Sequence, residues 1–530
     1  MEYVIGSGPS GVACAMALLR RGRDVTMLDG GEALEPERQQ AVERLRMLDP
    51  SEWNGTNISF LKEGVVADRK GVGVKRIFGS DYPYRGVEQL MPTHKKGVDT
   101  KSSLAVGGLS AAWGSAILPF RDEDMVGWPL RLADLAPYYR DVLSLMGTSL
   151  VQDDLAELFP LFVAPDGALR RSRQADSLMR DLEKHRIHLR AQGIWFGAAR
   201  LATRPHVRGA QPGCTYCGLC MYGCPYGLIY SAEDTLAQLA EYPKFHRISG
   251  VVVERLQETN EGSVLIRGRQ RTTGASVDFT ASRVYLAAGA LASSRIVLRS
   301  QEAYGKTVTL KNSQYFLLPI LRYAGTARVQ KEALHTLAQV FLEIIDPEIC
   351  DRTVHLQVYT YNDLYEAAIR RTAGPAAGLL RPIWGALLGR MLTVQGYLHS
   401  DFSPAIGATL ERRADNSDLL RLEALHPEGD QAHVILKRIV HKLSQNARWL
   451  RSIPIGPLLN KPDAGHGFHV GGTFPMSERP VGFQSDLLGR PAGFNRVHLV
   501  DSSVLPSIPA TTITFSVMAN AFRIGSLAGA

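Results

Sequence analysis

The sequence predicts an α/β protein (α+β overall) that combines a parallel, helix-covered sheet with a separate antiparallel sheet. Two patterns indicate this. The first thirty residues read as strand, glycine turn, helix and strand, and several runs with a period of two follow between residues 301 and 464. At 530 residues the chain is also too long for one hydrophobic core, so at least two domains are expected.

The N-terminal segment carries a glycine fingerprint. The apolar run Tyr3-Val4-Ile5 precedes the pattern Gly6-x-Gly8-x-x-Gly11, a helical stretch follows, and the next apolar run ends on Asp29. Such glycines permit a tight turn, close approach of a pyrophosphate and close packing of helix on strand. The pattern therefore predicts a dinucleotide site, with Asp29 placed to bind a ribose hydroxyl. Cys14, on the helix, is expected to be a small buried residue.

The middle of the chain predicts half-buried strands. Runs such as YFLLPILRY, LAQVFLEII, TVHLQVYTY, LTVQGYLHS and LLRLEAL alternate apolar and polar residues, and the helical pattern QAHVILKRIVHKLSQNARWLRSI comes after them. One face of TVHLQVYTY and one face of LTVQGYLHS are polar or aromatic. That face either binds a substrate or is the solvated side of an ordinary sheet. The candidate substrate residues are Gln357, Tyr359, Gln395, Tyr397 and His399.

Four of the six cysteines lie in GCTYCGLCMYGCPYG, with the spacing C-x2-C-x2-C-x3-C-P. This resembles the bacterial ferredoxin run, in which thiolates hold an iron–sulfur cluster. Structural zinc and a thiol or disulfide site are the alternatives. A 4Fe-4S cluster is favoured over a 3Fe-4S cluster. In ferredoxins with two cysteine runs the fourth cysteine of one run binds the other cluster, and this chain has no second run. The fourth ligand is therefore either the last cysteine of the run or the remote Cys350. The candidate metal ligands are Cys214, Cys217, Cys220 and Cys224.

Charge and residue patterns limit the kinds of partner and the location that we expect for the protein. The formal charge of +8 is spread along the chain without a basic block, so no nucleic-acid partner is expected. The N-terminal residues lack the features of an export signal, which predicts a cytoplasmic protein. Residues 370–395 are apolar and arginine-rich, interrupted by Pro375 and Pro382. They are too interrupted to span a bilayer, but they allow peripheral contact with a membrane surface, or a loop and helix packed over the protein.

Three further stretches, together with the N-terminus, resemble the glucose–methanol–choline (GMC) oxidoreductases. They are AVGGLSAAWGS at 105–115, VYLAAGALASSRIVLRS at 284–300, and the block that contains FHVGGTFPM and VHLVDSSVLPSIPATTITFSVMANAFRIG. All four blocks occur in the family's order and span nearly the whole chain. The resemblance implies FAD as the cofactor and a sugar or alcohol as the substrate.

The resemblance also implies a Rossmann-like FAD-binding domain assembled from separated segments. We expect these at 1–130, 236–300 and 465–530, with a connecting segment that holds the cysteine run at 131–235 and a substrate domain at 301–464. The expected cofactor-binding residues are Gly6, Gly8, Ser10, Gly11, Asp29, Gly107, Gly108, Ser110, Trp113, Val252, Ala288, Gly289, Asp501 and Thr512.

The resemblance selects His469 as the catalytic base, because oxidation of an alcohol needs a group that accepts the hydroxyl proton. His466 is its nearest rival. The second member of the family's catalytic pair falls at about Thr511, whose hydroxyl can bind a substrate oxygen but is no base near neutral pH. Ala112 stands where a related enzyme attaches its flavin, which implies a non-covalent FAD.

Taken together, these features predict an FAD-dependent dehydrogenase of a sugar or alcohol. Its electrons would leave through an iron–sulfur cluster to a quinone or a redox protein. Two alternatives stay open: a flavin and iron–sulfur electron-transfer protein that feeds a membrane quinone, and an FAD oxidase with a structural zinc site.

Overall fold

A computed structural model describes the whole chain except residues 64–74, 166, 208–211, 376–377, 379–382, 416, 426–430 and 530. The strands are β1 Glu2–Ile5, β2 Val25–Asp29, β3 Thr93–Lys96, β4 Ile194–Ala198, β5 Phe245–Ser249, β6 Val251–Glu258, β7 Val264–Gln270, β8 Ser276–Ala281, β9 Arg283–Leu286, β10 Thr307–Asn312, β11 Tyr315–Arg322, β12 Val340–Ile344, β13 Val354–Tyr359, β14 Met391–Tyr397, β15 Ala405–Arg412, β16 Asp418–Leu425, β17 Ser452–Pro454, β18 Val470–Gly471 and β19 Val497–Leu499. The helices are α1 Pro9–Arg20, α2 Pro36–Arg46, α3 Gly55–Lys62, α4 Val87–Leu90, α5 Leu132–Leu143, α6 Arg173–Lys184, α7 Arg186–Ala191, α8 Ala232–Leu239, α9 Ala290–Ser300, α10 Asp363–Ala373, α11 Trp384–Arg390, α12 Gln431–Gln445, α13 Ala447–Leu450 and α14 Thr514–Leu527.

A five-stranded parallel sheet of order β19-β9-β1-β2-β5 forms one centre of the fold. Its strands come from three distant parts of the sequence, and β1 and β2 are buried along their whole length. Parallel strands covered on both faces read as continuous apolar runs, which explains why the first two strands show no alternation. The predicted α/β class is confirmed.

Helix α1 packs against β1, β2 and β9 of this sheet, α14 packs against α1, and α5 packs against α14. Helix α1 is buried from Ser10 to Leu19, so it lies between the sheet and other helices rather than at the surface. Close packing is possible because Gly525 faces α1: a Cβ at this glycine would lie 2.8 Å from the carbonyl oxygen of Cys14. Cys14 is fully buried, as expected from its place in the helix.

The second centre is a six-stranded antiparallel sheet of order β17-β11-β14-β13-β12-β4. One face carries Val354, Leu356 and Val358 of β13 and packs into an apolar cluster with helices α6 and α12. The opposite face is polar. Strand β4 joins this sheet from residues 131–235, which we expected to be only a connecting segment.

Two further sheets, of three and five strands, complete the fold. Strands β6, β7 and β8 form an antiparallel sheet, and the order of the other is β18-β10-β15-β16-β3. The run LLRLEAL forms β16 and therefore lies in this last sheet, beside β3 in parallel, and not with the strands of the polar face. Sequence alternation predicts a strand but carries no information on which neighbour it pairs with.

Among the described residues, no helix is both long and apolar enough to cross a membrane. The stretch 370–395 is described only in part, and Arg381 and Pro382 lie outside the described residues. Within it, Trp384 is buried against Val329 and Leu388. The Arg370 guanidinium lies 4.4 Å from the centre of the Trp384 ring. Trp384 and Leu388 therefore pack inside the protein and do not face a membrane surface.

Candidate active site

A cavity of about 380 Å³ lies between the two large sheets. Its floor is the carboxyl end of the parallel sheet, where Gly6 and Ala287 follow β1 and β9 and Asp29 ends β2. Its roof is the polar face of β13 and β14. Ligands of open α/β sheets bind outside the carboxyl ends of the strands, so the cavity occupies the expected place for a nucleotide.

The glycine turn between β1 and α1 shapes the floor. A Cβ at Gly11 would lie 1.9 Å from the Gly6 carbonyl oxygen, so only glycine allows this contact. The amino end of α1 opens into the cavity at Gly8 and Ser10 and has no side-chain cap. Free N–H groups at a helix start bind phosphate, and this end therefore fits the pyrophosphate of FAD.

Asp29 lines the cavity at the end of β2. Its carboxylate accepts hydrogen bonds from Arg247 (2.8 Å) and from the Ser249 hydroxyl (2.7 Å). These partners hold a buried carboxylate at the position where a ribose hydroxyl of a dinucleotide is expected.

The glycine loop at 107–113 borders the same cavity. The Ser7 hydroxyl accepts a hydrogen bond from the Gly107 amide (3.2 Å), and the Ser110 hydroxyl donates to the Gly107 carbonyl (2.6 Å). Trp113 donates to the Tyr230 carbonyl (2.7 Å) and lines the cavity. Ala112 also lines it and offers no atom for a covalent bond to a flavin. Gly108 and Ser110 reach the cavity, whereas Gly107 and Gly11 support it from behind.

The remaining expected cofactor residues also border the cavity. Asp501 is buried, and its carboxylate accepts hydrogen bonds from the Gly289 amide (2.9 Å) and the Ser293 hydroxyl (2.5 Å). Burial nevertheless raises the pKa of Asp501 above its usual value. Thr512 carries a buried hydroxyl without a partner among the described residues, so it is available to a bound group. Val252, Ala288 and Gly289 complete this wall.

His469 stands in the cavity wall just before β18, at the edge of the roof. Its ring stacks on Tyr397 with 4.6 Å between ring centres, and its Nδ1 has no partner among the described residues. Burial lowers the pKa of His469 to about 3, with a smaller contribution from His355. The imidazole is therefore neutral near pH 7, although the same burial weakens it as a base.

His466, the rival, does not line the cavity. Its Nδ1 lies 2.7 Å from the Asp99 carboxylate, and its ring lies 5.5 Å from that of Tyr315. The cavity lining also omits Thr511. Its hydroxyl is buried without a partner in the described part of the chain, but Thr512, Ile513 and Thr514 are the residues of that loop that reach the cavity. The structure thus gives Thr511 no access to a substrate in the cavity.

Four of the five candidate substrate residues meet in the roof: Gln357, Tyr359, Gln395 and Tyr397. His399 does not join them, because β14 ends at Tyr397 and the alternation ends with it. His399 is buried elsewhere, where its Nε2 bonds the Asp124 carbonyl oxygen (3.0 Å). The polar side of β13 and β14 is thus a wall of the cavity and not a solvated surface.

Sequence reasoning missed several cavity residues. Lys75 lines the cavity and donates to the Trp113 carbonyl oxygen (3.0 Å), and burial lowers its pKa to about 8. Tyr84 stacks on Phe468 at 6.2 Å between ring centres. Phe468 has a φ of +59°, a strained value for a residue beside His469. Nothing in the local sequence of Lys75 marks it, whereas Phe468 could have been suspected from its neighbour.

The four clustered cysteines pack outside the cavity, on its Lys75 side. Their sulfurs receive backbone N–H groups: Tyr216 donates to Cys214 and Leu228 to Cys224, each at 3.4 Å. Burial, followed by the mutual effect of the neighbouring thiols, raises the pKa of Cys214 and of Cys217 to about 12.

No group of three or more ligands in the described residues is arranged to hold a metal ion, so the side chains of the cysteine run do not form the expected metal site as they stand. Cys350 is not a fifth member. It packs against the apolar cluster of the antiparallel sheet, and its thiol bonds the Arg352 carbonyl oxygen (3.1 Å). A contribution of Cys350 to a site at the cysteine run is therefore ruled out by its position.

Comparisons with known proteins agree with this picture of the fold. No protein-family model matches the chain. The sequence is 27% identical over 318 residues to a 6'''-hydroxyparomomycin C oxidase of Streptomyces lividus, covering 57% of this chain and 50% of that one. It is 26% identical over 333 residues to a paromamine 6'-oxidase of Streptomyces fradiae, covering 59% and 54%. The chain thus spans about half the length of the curated relatives it matches.

A solved structure is similar over nearly the whole chain. The pyridoxine 4-oxidase from Mesorbium loti has a TM-score of 0.59 and 13% sequence identity, covering 99% of this chain and 98% of that one. At this identity the match establishes the fold alone. In this chain, a parallel and an antiparallel sheet of that fold enclose the cavity.

Proposed function

We propose that the protein is an FAD-dependent oxidoreductase that oxidises the hydroxyl group of a sugar or alcohol. The main support for this proposal is that one cavity contains both the uncapped amino end of α1, on its floor, and the buried, neutral His469, at its roof. Three features fit a bound, non-covalent FAD: the glycine turn between β1 and α1, the uncapped amino end of α1, and the Thr512 hydroxyl, which has no partner among the described residues. The names of the relatives support the same class of reaction.

FAD, when bound, supplies an acceptor for the hydride of the carbinol carbon. His469 removes the hydroxyl proton, because it is the residue in the cavity wall whose imidazole is neutral and carries an unpartnered ring nitrogen. Tyr397 holds that ring by stacking. The alcohol becomes a carbonyl compound when its hydroxyl proton passes to His469 and its carbinol hydride to the cofactor.

The proposed substrate is a sugar hydroxyl. The curated relatives are named for the oxidation of paromamine and of 6'''-hydroxyparomomycin C. In this chain Gln357, Tyr359 and Gln395 supply hydrogen-bonding groups to the roof, as recognition of a polyhydroxylated ligand requires.

The proposed exit for electrons is an iron–sulfur cluster held by Cys214, Cys217, Cys220 and Cys224. Four neighbouring thiols, of which Cys214 and Cys224 receive backbone N–H groups, have the donor chemistry of such a cluster. Ligation would require deprotonation of thiols whose pKa is raised. A cluster, when bound, passes electrons singly to an external acceptor such as a quinone or a redox protein. Lys75, whose charge interacts with Cys220 and Cys224, separates the run from the cavity.

The relatives' names favour a second candidate, an oxidase that reduces oxygen without a cluster. The two candidates share the flavin chemistry and differ in the acceptor. Iron and acid-labile sulfide per flavin, measured in anaerobically purified protein, separate them. About four irons per flavin, lost in Cys217→Ser, supports the cluster. Absence of iron, with one peroxide formed per substrate oxidised, supports the oxidase.

The flavin reaction is tested by anaerobic mixing with a panel of sugars and primary alcohols, followed through the visible absorption of the flavin. Wild-type protein should be bleached by at least one member of the panel. His469→Ala should retain flavin but reduce it roughly 10²- to 10⁴-fold more slowly, the range expected for loss of a base. His466→Ala, the matched control, should react at nearly the wild-type rate. A protein without flavin, or equal rates in the two variants, contradicts the proposal.

A further inference from the structure

A buried row of polar side chains runs from the roof of the cavity into the antiparallel sheet, and its two inner members have no role in the proposed chemistry. Its members are Glu343 on β12 and His355, Gln357 and Tyr359 on β13. Glu343 and His355 are completely buried, and both sit in the middle of the antiparallel sheet where the strands pair Glu343 opposite His355. Buried charged and polar groups in a sheet interior are costly, so a row of them calls for a function.

The hydrogen bonds of this row run in one direction. The Tyr359 hydroxyl donates to Gln357 Oε1 at 3.1 Å, and Gln357 Nε2 donates to His355 Nε2 at 3.1 Å. With Nε2 accepting, the neutral imidazole carries its proton on Nδ1, which donates to Glu343 Oε1 at 2.7 Å. Each donor therefore points away from the cavity and toward Glu343 Oε1.

This direction decides what Tyr359 presents to a ligand. Its only proton is used by Gln357, so the oxygen faces the cavity with acceptor lone pairs. That oxygen lies near the residue that follows the glycine loop at 107–113, since a Cβ at Gly114 would be 3.5 Å from it. Beside it, Gln395 lies opposite Gln357 in the sheet and donates through Nε2 to Tyr365 at 2.8 Å, which turns its carbonyl oxygen to other partners.

We propose that Glu343, His355 and Gln357 form a positioning relay that holds the Tyr359 hydroxyl as a hydrogen-bond acceptor, so that the site selects substrates that donate a hydroxyl or ammonium proton to it. This inference rests on the proposed function and names a specificity device within it. Glu343 and His355 touch no reacting atom and act through Tyr359.

The relay can be reversed by one isosteric change. In Glu343→Gln the new amide can donate to His355 Nδ1, which moves the imidazole proton to Nε2 and turns Gln357 around. The Tyr359 hydroxyl would then receive a hydrogen bond and donate its own proton into the cavity. We expect kcat/KM for a donating sugar to fall roughly tenfold, mainly through KM, as for the loss of one well-placed hydrogen bond.

A double-mutant cycle separates the relay from a general structural effect. Glu343→Gln, Tyr359→Phe and the double variant are compared on a hexose and on its monodeoxy analogues, with melting temperatures recorded for each. The relay predicts that Glu343→Gln loses its effect in the Tyr359→Phe background and on the deoxy analogue that lacks the donating hydroxyl. Additive effects on every substrate overturn the inference. Glu183→Gln, at an exposed position of α6 on the apolar side of the sheet, is the control for removing a carboxylate.

A second measurement does not depend on turnover. In ¹⁵N-histidine-labelled protein, the His355 signals are assigned by their loss in His355→Gln. The relay predicts a neutral ring protonated on Nδ1 in the wild type and on Nε2 in Glu343→Gln. A wild-type ring protonated on Nε2 overturns the relay. If the wild type oxidises none of the panel, the proposed function fails while this measurement still decides the relay.

Discussion

The surroundings of His469 set the protonation state of its imidazole. Because burial lowers its pKa to about 3, the ring stays neutral through the acidic range in which an ordinary histidine would be protonated. We therefore expect kcat/KM for alcohol oxidation to show no loss with an apparent pKa near 6.5 as the pH falls. Stopped-flow reduction between about pH 5 and pH 8 measures this, and a clear inflection near 6.5 that His469→Gln abolishes would contradict it.

His498 offers a test of the same physics on stability. Burial lowers the pKa of His498 to about 4, whereas the unfolded chain has about 6.5. Below pH 6.5, His498 is protonated in the unfolded state but stays neutral in the folded state. This histidine therefore destabilises the fold increasingly as the pH falls toward 4. His498→Phe keeps the ring beside Tyr285 but cannot protonate.

The free energy of unfolding of His498→Phe, relative to wild type, should therefore rise by about 2 kcal/mol between pH 7 and pH 5. Denaturant unfolding at both pH values gives the difference. The loss of the bond to the Leu488 carbonyl oxygen is present at both pH values and cancels in the comparison. A difference that does not change with pH would show that the ring protonates in the folded protein.

At the scale of elements, the turn from β1 to α1 depends on glycine for contact and not only for flexibility. Gly11→Ala would place a methyl group 1.9 Å from the Gly6 carbonyl oxygen, so the helix must move off the strand. We expect a loss of bound FAD and a cost of about 2 to 4 kcal/mol in unfolding free energy. Gly55→Ala, where the added methyl meets nothing within 4 Å, is the control and should be neutral. Flavin content and denaturant melts measure both.

The same elements explain what the sequence could and could not predict. Gly6, Gly8 and Gly11 are close in sequence, so their spacing alone predicts the turn. The partner of a strand is a long-range choice: nothing in 194–198 says that it joins β12. The error at His399 has a similar origin, because alternation was extended past the end of β14. The contact between Glu343 and His355 follows from register between two strands, which no local pattern carries.

At the scale of the whole molecule, α1 and α14 join the two ends of the described chain. Gly525→Val would force a branched side chain against the Cys14 carbonyl oxygen and the Ala17 methyl, 2.8 and 3.0 Å from the Cβ position. We expect destabilisation of about 1 to 3 kcal/mol together with weaker flavin retention, because α1 carries the cofactor end of the cavity. Leu527→Ala, at an exposed position of the same helix, should change the free energy of unfolding by no more than about 0.5 kcal/mol and leave flavin retention unchanged.

The interleaving of distant segments has a consequence for synthesis. Strand β1 pairs with the nearby β2 but also with β9, β9 pairs with β19, and α1 packs on α14, so the earliest elements complete their contacts only after nearly all of the chain has been made. While the ribosome translates the intervening residues, the face of α1 that packs on α14 stays uncovered. Slow, non-local closure of this kind favours aggregation of unfinished chains. Yield of the folded protein should therefore depend on chaperones during translation more than on the stability of the finished molecule.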